Sequence, residues 1–68
     1  MGARIQTHRE LEVFQLIGEG RDMHEIAGEL HLSKKTVEAH RANIKEKLGV
    51  PSAREVVRYA TQWVAQQR

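Results

Sequence analysis

Cysteine is absent from this chain of 68 residues, which excludes both a disulfide framework and a thiolate metal site. No run approaches the roughly 18 consecutive apolar residues that a membrane-spanning helix needs, and residues 1–4 lack the hydrophobic core of a signal peptide. We therefore expect a protein of the reducing cytoplasm. The single proline, five glycines and lack of repeats or low-complexity segments predict an ordered chain.

The short length predicts one small domain, whose core is stable only if its helices pack well or it pairs with a copy of itself. We expect no enzyme-sized cleft, and the sequence contains no constellation of nucleophile and base. No two of the four histidines lie at i, i+3 or i+4 on one helix, and no cysteine completes a ligand set. The sequence therefore predicts no catalytic activity, metal site, cofactor or small-molecule ligand.

Positive charge is concentrated in residues 33–49. This segment carries Arg41 and all four lysines of the chain against two glutamates, which is a charge of +3, while the remainder carries −1. Ser33 is a good N-cap and Gly49 a good left-handed stop, so the segment is predicted to be one helix over 34–48. An apolar stripe faces the core (Val37, His40, Ile44, Leu48), and the opposite face combines small and charged residues (Lys35, Ala39, Ala42, Glu46).

Three further helices are predicted from capping signals and apolar periodicity. The first begins with a capping box of Thr7 and Glu10 and stops at Gly18 and Gly20. The second, of about eight residues, begins with a capping box of Asp22 and Glu25. Only His31 and Leu32 separate it from Ser33, which is the spacing of a helix-turn-helix, and histidine tolerates the positive φ such a turn needs.

The last helix is predicted over 53–66, after Pro51, with Ser52 and Glu55 forming its capping box. Its apolar residues span more than a single core contact requires, so part of this helix either faces a partner or is left exposed. Trp63 and Tyr59 are interpreted as core or interface residues rather than as platforms for base stacking. Residues 1–6 show no periodicity and are predicted to be a linker or a disordered N-terminus, and residues 7–66 to be the domain.

These elements predict a DNA-binding module, because the major groove admits one α-helix and presents a distinct pattern of donors and acceptors for each base pair. The helix over 34–48 would enter the groove. The start of the second helix, at residues 22–24, would lie near a phosphate, where free backbone N–H groups favour an anion.

Several short motifs resemble the LuxR/FixJ-type helix-turn-helix over residues 7–60. They are Arg9-Glu10, Glu12-Val13-Phe14, Leu16-Ile17, His24-Glu25-Ile26-Ala27, Leu32-Ser33, Lys35-Thr36-Val37 with His40, and Ile44 with Lys47-Leu48-Gly49-Val50. The resemblance implies an all-α, tetra-helical fold in a winged-helix-like superfamily without the wing. It also implies the C-terminal effector domain of a bacterial transcription regulator, commonly a two-component response regulator or an autoinducer receptor.

The same resemblance implies roles for particular residues. Base-reading positions are Lys35, Glu38, Ala39 and Ala42, and phosphate-contacting positions are His24, Ser33, Lys34, Thr36, Arg41 and Lys45. The dimer interface on the fourth helix comprises Val57, Thr61 and Val64. The implied partners are double-stranded DNA, a second copy of the chain and, as a candidate, RNA polymerase.

The sequence departs from the family pattern at two positions. Many members have lysine where this chain has Glu38, and a carboxylate there repels phosphate but accepts a hydrogen bond from cytosine N4. Glu38 therefore either reads a different site or is only a solvated side chain. The family usually has an apolar residue at the position of Gln6, so Ile5 would have to supply that packing.

Two other functions are compatible with a helix-turn-helix. One is a promoter-reading module of the sigma-factor type, which the fourth helix after Val50-Pro51-Ser52 argues against. The other is a protein-interaction module that has lost DNA binding, favoured only by Glu38 and the modest net charge of +2.

Overall fold

The computed structural model describes residues 8–67, and all regular secondary structure in that range is helical. Its elements are α1 (His8–Gly18), α2 (Met23–Leu30), α3 (Lys34–Leu48) and α4 (Ala53–Gln66). The predicted all-α fold of four helices is confirmed. The predicted linker over 1–6, the packing of Ile5 or Gln6 and the capping role of Thr7 lie outside the described residues.

Two of the predicted N-caps form as expected. Asp22 Oδ1 accepts from the Glu25 backbone N–H at 2.8 Å, and Glu25 Oε1 accepts from the Asp22 backbone N–H at 3.0 Å, which completes the capping box of α2. Ser33 Oγ accepts from the Thr36 backbone N–H at 3.1 Å at the start of α3. These bonds satisfy donors that the first helical turn leaves free.

The predicted capping box of α4 is wrong. Ser52 occupies the N-cap position with an extended backbone, but its side chain makes no capping hydrogen bond. The Glu55 and Val56 N–H groups donate instead to the Ser52 carbonyl oxygen, at 3.1 and 3.3 Å. The first turn of α4 is therefore closed by the backbone.

The turn between α2 and α3 depends on a left-handed residue. His31 has φ 58° and ψ 43°, and the following Leu32 N–H donates to the Ala27 carbonyl at 2.9 Å. This arrangement satisfies carbonyl groups at the end of α2 and reverses the chain within a few residues. The predicted positive φ at His31 and the predicted helix-turn-helix spacing are confirmed.

The core lies where α1 contacts all three other helices. The side chains of Val13, Ile26, Val37, Ile44 and Val56 are fully buried, so each helix contributes to a single core. The rings of Phe14 on α1 and Trp63 on α4 are tilted by 52° with centroids 5.5 Å apart, a favourable aromatic geometry.

Gly18 allows α1 and α4 to approach closely. A Cβ atom at this position would lie 2.3 Å from the Ala60 carbonyl oxygen and 2.6 Å from Val64 Cγ2. The glycine is therefore required by the packing of the two helices. No helix within residues 8–67 is both long and apolar enough to cross a membrane.

Candidate nucleic-acid interface

Helix α3 has a buried face and a free face. Val37 and Ile44 have no exposed surface, whereas all four predicted base-reading residues are exposed (Lys35, Glu38, Ala39, Ala42). At 3.6 residues per turn, these four fall within an arc of about 100°, opposite the buried pair. The two alanines leave the middle of this face low, so another surface can approach the helix closely.

One edge of the free face is lined with cations. Lys34, Arg41 and Lys45 project along the same side of α3, adjacent to the arc that holds Glu38. Lys34 is exposed, whereas Arg41 and Lys45 are half-buried. A half-buried cation with a long apolar stem can lie against the domain and keep its charged head in water. This edge would face one phosphate strand if the free face entered a groove.

Lys47 does not belong to that cationic edge. Its Nζ lies 2.6 Å from Oε1 of Glu10, whose side chain is only 6% exposed. From the sequence, Lys47 was assigned to the positive charge of residues 33–49 and Glu10 to a capping box with Thr7. This ion pair was therefore not predicted. The two residues are 37 positions apart, and no local pattern relates them.

The N-termini of α2 and α3 carry the remaining predicted phosphate contacts. His24 is exposed in the first turn of α2, and Ser33 and Thr36 are exposed at the start of α3, with their hydroxyl oxygens 2.9 Å apart. Nearby, Arg21 pairs with Glu29, and this hydrogen bond raises the pKa of the guanidinium above its already high value. Arg21 therefore remains charged at the edge of α2.

His40 lies between the two faces of α3. Its side chain is half-buried, and Nδ1 is buried without a hydrogen-bond partner among the described residues. Within residues 8–67, no group of three or more histidine, aspartate or glutamate side chains is arranged to hold a metal ion.

Helix α4 carries a second exposed surface. Val57 is 46% exposed and Thr61 is exposed one turn later, with its hydroxyl donating to the Val57 carbonyl at 2.8 Å. Val64 was also predicted to lie on this surface, but it is only 8% exposed and lies against Gly18 on α1. Val64 therefore lies beneath the surface formed by Val57 and Thr61 and adds little exposed area to it. Tyr59, 49% exposed, projects from the opposite side of α4.

A short helix, a tight turn and a following helix with a free, cation-edged face define the class of helix-turn-helix DNA-binding domains. Residues 5–60 match the family described as bacterial regulatory proteins, luxR family, and the chain belongs to this family. The family membership supports DNA binding for transcription regulation, and it confirms the family resemblance identified from the sequence motifs.

Two relatives illustrate the relationship. The chain is 52% identical over 54 residues to the uncharacterized response regulatory protein YgeK of Escherichia coli K12, which covers 79% of this chain and 37% of YgeK. It is 49% identical over 57 residues to the oxygen regulatory protein NreC of Staphylococcus aureus JH9, which covers 84% of this chain and 26% of NreC. The chain therefore corresponds to a minor part of the length of these curated relatives.

Proposed function

We propose that residues 7–66 form the effector domain of a two-component response regulator and bind double-stranded DNA sequence-specifically as a homodimer. The main support for DNA binding is the free face of α3, where four exposed side chains share an arc of about 100° beside a row of cations. The names of YgeK and NreC support the assignment to a response regulator. The domain acts by binding and not by catalysis, in the cytoplasm where bacterial DNA lies.

Helix α3 enters the major groove with Lys35, Glu38, Ala39 and Ala42 toward the base edges. The alanines permit close approach and offer apolar contact to a thymine methyl group, whereas Lys35 donates to guanine and Glu38 accepts from cytosine N4. The phosphate strands are contacted by the cationic edge of Lys34, Arg41 and Lys45, and by the helix starts that carry His24, Ser33 and Thr36. Phosphate contacts set the register, and base contacts set the sequence preference.

Helix α4 pairs with its counterpart in a second copy through Val57 and Thr61. Val57 supplies exposed apolar surface. The Thr61 hydroxyl is already bonded within the helix, so a partner can cover it without leaving a donor unsatisfied. A two-fold dimer reads a site made of two symmetric half-sites. A contact with RNA polymerase is part of the same proposal, as one route by which a DNA-bound regulator acts on transcription.

The proposal is tested by selecting duplexes from a random pool with the purified protein, at about 50 mM and about 200 mM salt, followed by sequencing. We expect a two-fold symmetric motif and a loss of affinity of roughly 10³ to 10⁵ between the two conditions, for a dimer that contacts about six to ten phosphates. Failure to enrich any motif, with a shallow salt dependence, would instead favour the protein-interaction module. An asymmetric motif would contradict the dimer.

A further inference from the structure

The ion pair of Glu10 and Lys47 links the first turn of α1 to the last turn of α3. Glu10 Oε1 and Lys47 Nζ are 2.6 Å apart, with side-chain exposures of 6% and 34%. The pair therefore adds a polar contact to the packing of the candidate reading helix against α1.

Stability alone is a weak explanation for this pair. Removing a carboxylate from water is costly, and replacing a buried ion pair with apolar residues of similar volume is often neutral or stabilising. The pair sits where helix dipoles favour it, because the anion is at the N-terminus of α1 and the cation at the C-terminus of α3. The charge-assisted hydrogen bond from Lys47 Nζ to Glu10 Oε1 differs from an apolar contact in being directional, since it requires two particular atoms to meet.

That directionality matters because the apolar contacts of Val37 and Ile44 hold the middle of α3, whereas polar contacts hold its two ends. Its N-terminus is held by the turn at His31 and the Ser33 cap, and its C-terminal turn carries Lys47. Ala42 lies about 12 Å along the helix from Lys34, so a tilt of about 5° about the N-terminus would displace it by about 1 Å. Hydrogen-bond distances to base edges tolerate only about half an ångström of variation.

We propose that Glu10 and Lys47 are positioning residues, which set the orientation of α3 for base reading and do not themselves contact DNA. The inference rests on the proposed function, since it concerns how the same face reads sequence. The inference gives different roles to the two lysines in the last turn of α3. Lys45 contributes charge to phosphate binding, whereas the charge of Lys47 is already compensated by Glu10.

The first test is the double variant Glu10→Leu with Lys47→Met, which removes the ion pair without altering net charge. Binding is measured to the duplex enriched by the wild-type chain and to a scrambled duplex, after circular dichroism and thermal unfolding. We expect a folded protein whose ratio of specific to nonspecific affinity falls about tenfold, with an unchanged salt dependence. A ratio within twofold of the wild type would overturn the proposal.

Glu10→Gln is the second variant, for the case in which the double variant does not fold. The amide keeps the shape of the side chain and removes its charge, and we expect the affinity ratio to fall at least threefold. An unaltered ratio in folded Glu10→Gln protein would equally overturn the proposal. If the wild-type chain enriches no duplex at all, the proposed function fails instead, so the two failures are distinguishable.

Lys45→Met and Lys47→Met form a matched pair, since each removes one lysine from the last turn of α3. We expect Lys45→Met to reduce the slope of log affinity against log salt by about 1 and to preserve the affinity ratio. We expect Lys47→Met to lower the ratio and leave the slope unchanged. The reverse pattern would identify Lys47 as a phosphate contact and contradict its positioning role.

Discussion

Glu38 places a carboxylate among the exposed side chains of α3, between the cationic edge and the two alanines. A carboxylate repels the phosphate backbone, so it weakens binding to any duplex unless it accepts a hydrogen bond from a base. Cytosine N4 is the donor in the major groove that a glutamate reads directly. If Glu38 reads a base as proposed, it penalises sequences that do not present a cytosine at its position.

Glu38→Lys is expected to change the preferred base pair rather than to improve binding uniformly. Lysine donates to guanine O6 and N7, so the preference should move from cytosine to guanine at one position of each half-site, with about 1–3 kcal/mol at stake per contact. The measurement is a repeat of the random-duplex selection with the variant. Recovery of the wild-type motif would show that Glu38 is only a solvated side chain.

Lys35→Ala provides the comparison for Glu38→Lys. Loss of its unit charge should weaken binding to all duplexes, and loss of its hydrogen bond to guanine should relax the preference at that position without creating a new one. A variant that changes the motif and one that lowers affinity for every sequence can then be told apart in the same assay.

At the scale of the helices, the close approach of α1 and α4 depends on one glycine. A Cβ atom on Gly18 would meet the Ala60 carbonyl oxygen, a backbone atom that cannot rotate away. The two helices would have to separate, and the contact between Phe14 and Trp63 would be lost or strained. Gly28 on α2 differs, since a Cβ atom there would meet nothing within 4 Å.

Gly18→Ala should therefore destabilise the domain by about 1–3 kcal/mol through overpacking. Gly28→Ala is the matched control and should be stabilising by about 0.5–1 kcal/mol, because alanine is the better residue in a helix interior. Both changes are measured by urea unfolding. Equal effects of the two substitutions would contradict the packing role of Gly18.

At the scale of the whole molecule, the proposed function assigns separate tasks to two exposed surfaces of the domain. The free face of α3 is suited to DNA, and the exposed surface of α4 at Val57 and Thr61 is suited to a second copy of the chain. A domain of this size buries only a limited core, so pairing would also add to its stability.

Val57→Arg should disrupt the dimer, because it places a charge in the centre of the proposed contact. We expect affinity for a duplex with two half-sites to fall at least tenfold, while affinity for a single half-site is retained. Tyr59→Arg is the control, since Tyr59 is equally exposed but lies on the opposite side of α4. The comparison uses gel-shift titrations of both duplexes, and similar behaviour of the two variants would argue against pairing through Val57.

The sequence by itself determined the features that depend on near neighbours in the chain. Helix limits, the caps at Asp22 and Ser33, the left-handed residue at His31 and the two faces of α3 all follow from interactions within about four positions. Such interactions leave a periodic or spaced signal, and the family motifs lie along the same local segments.

Only the tertiary structure decided which distant residues meet. The family resemblance implied that Val64 lies on the dimer surface, but Val64 is only 8% exposed and lies against Gly18 in the contact of α1 with α4. Glu10 and Lys47 form their ion pair across 37 residues. The physical reason is that a helix projects side chains in every direction, and its neighbours determine which of them are buried.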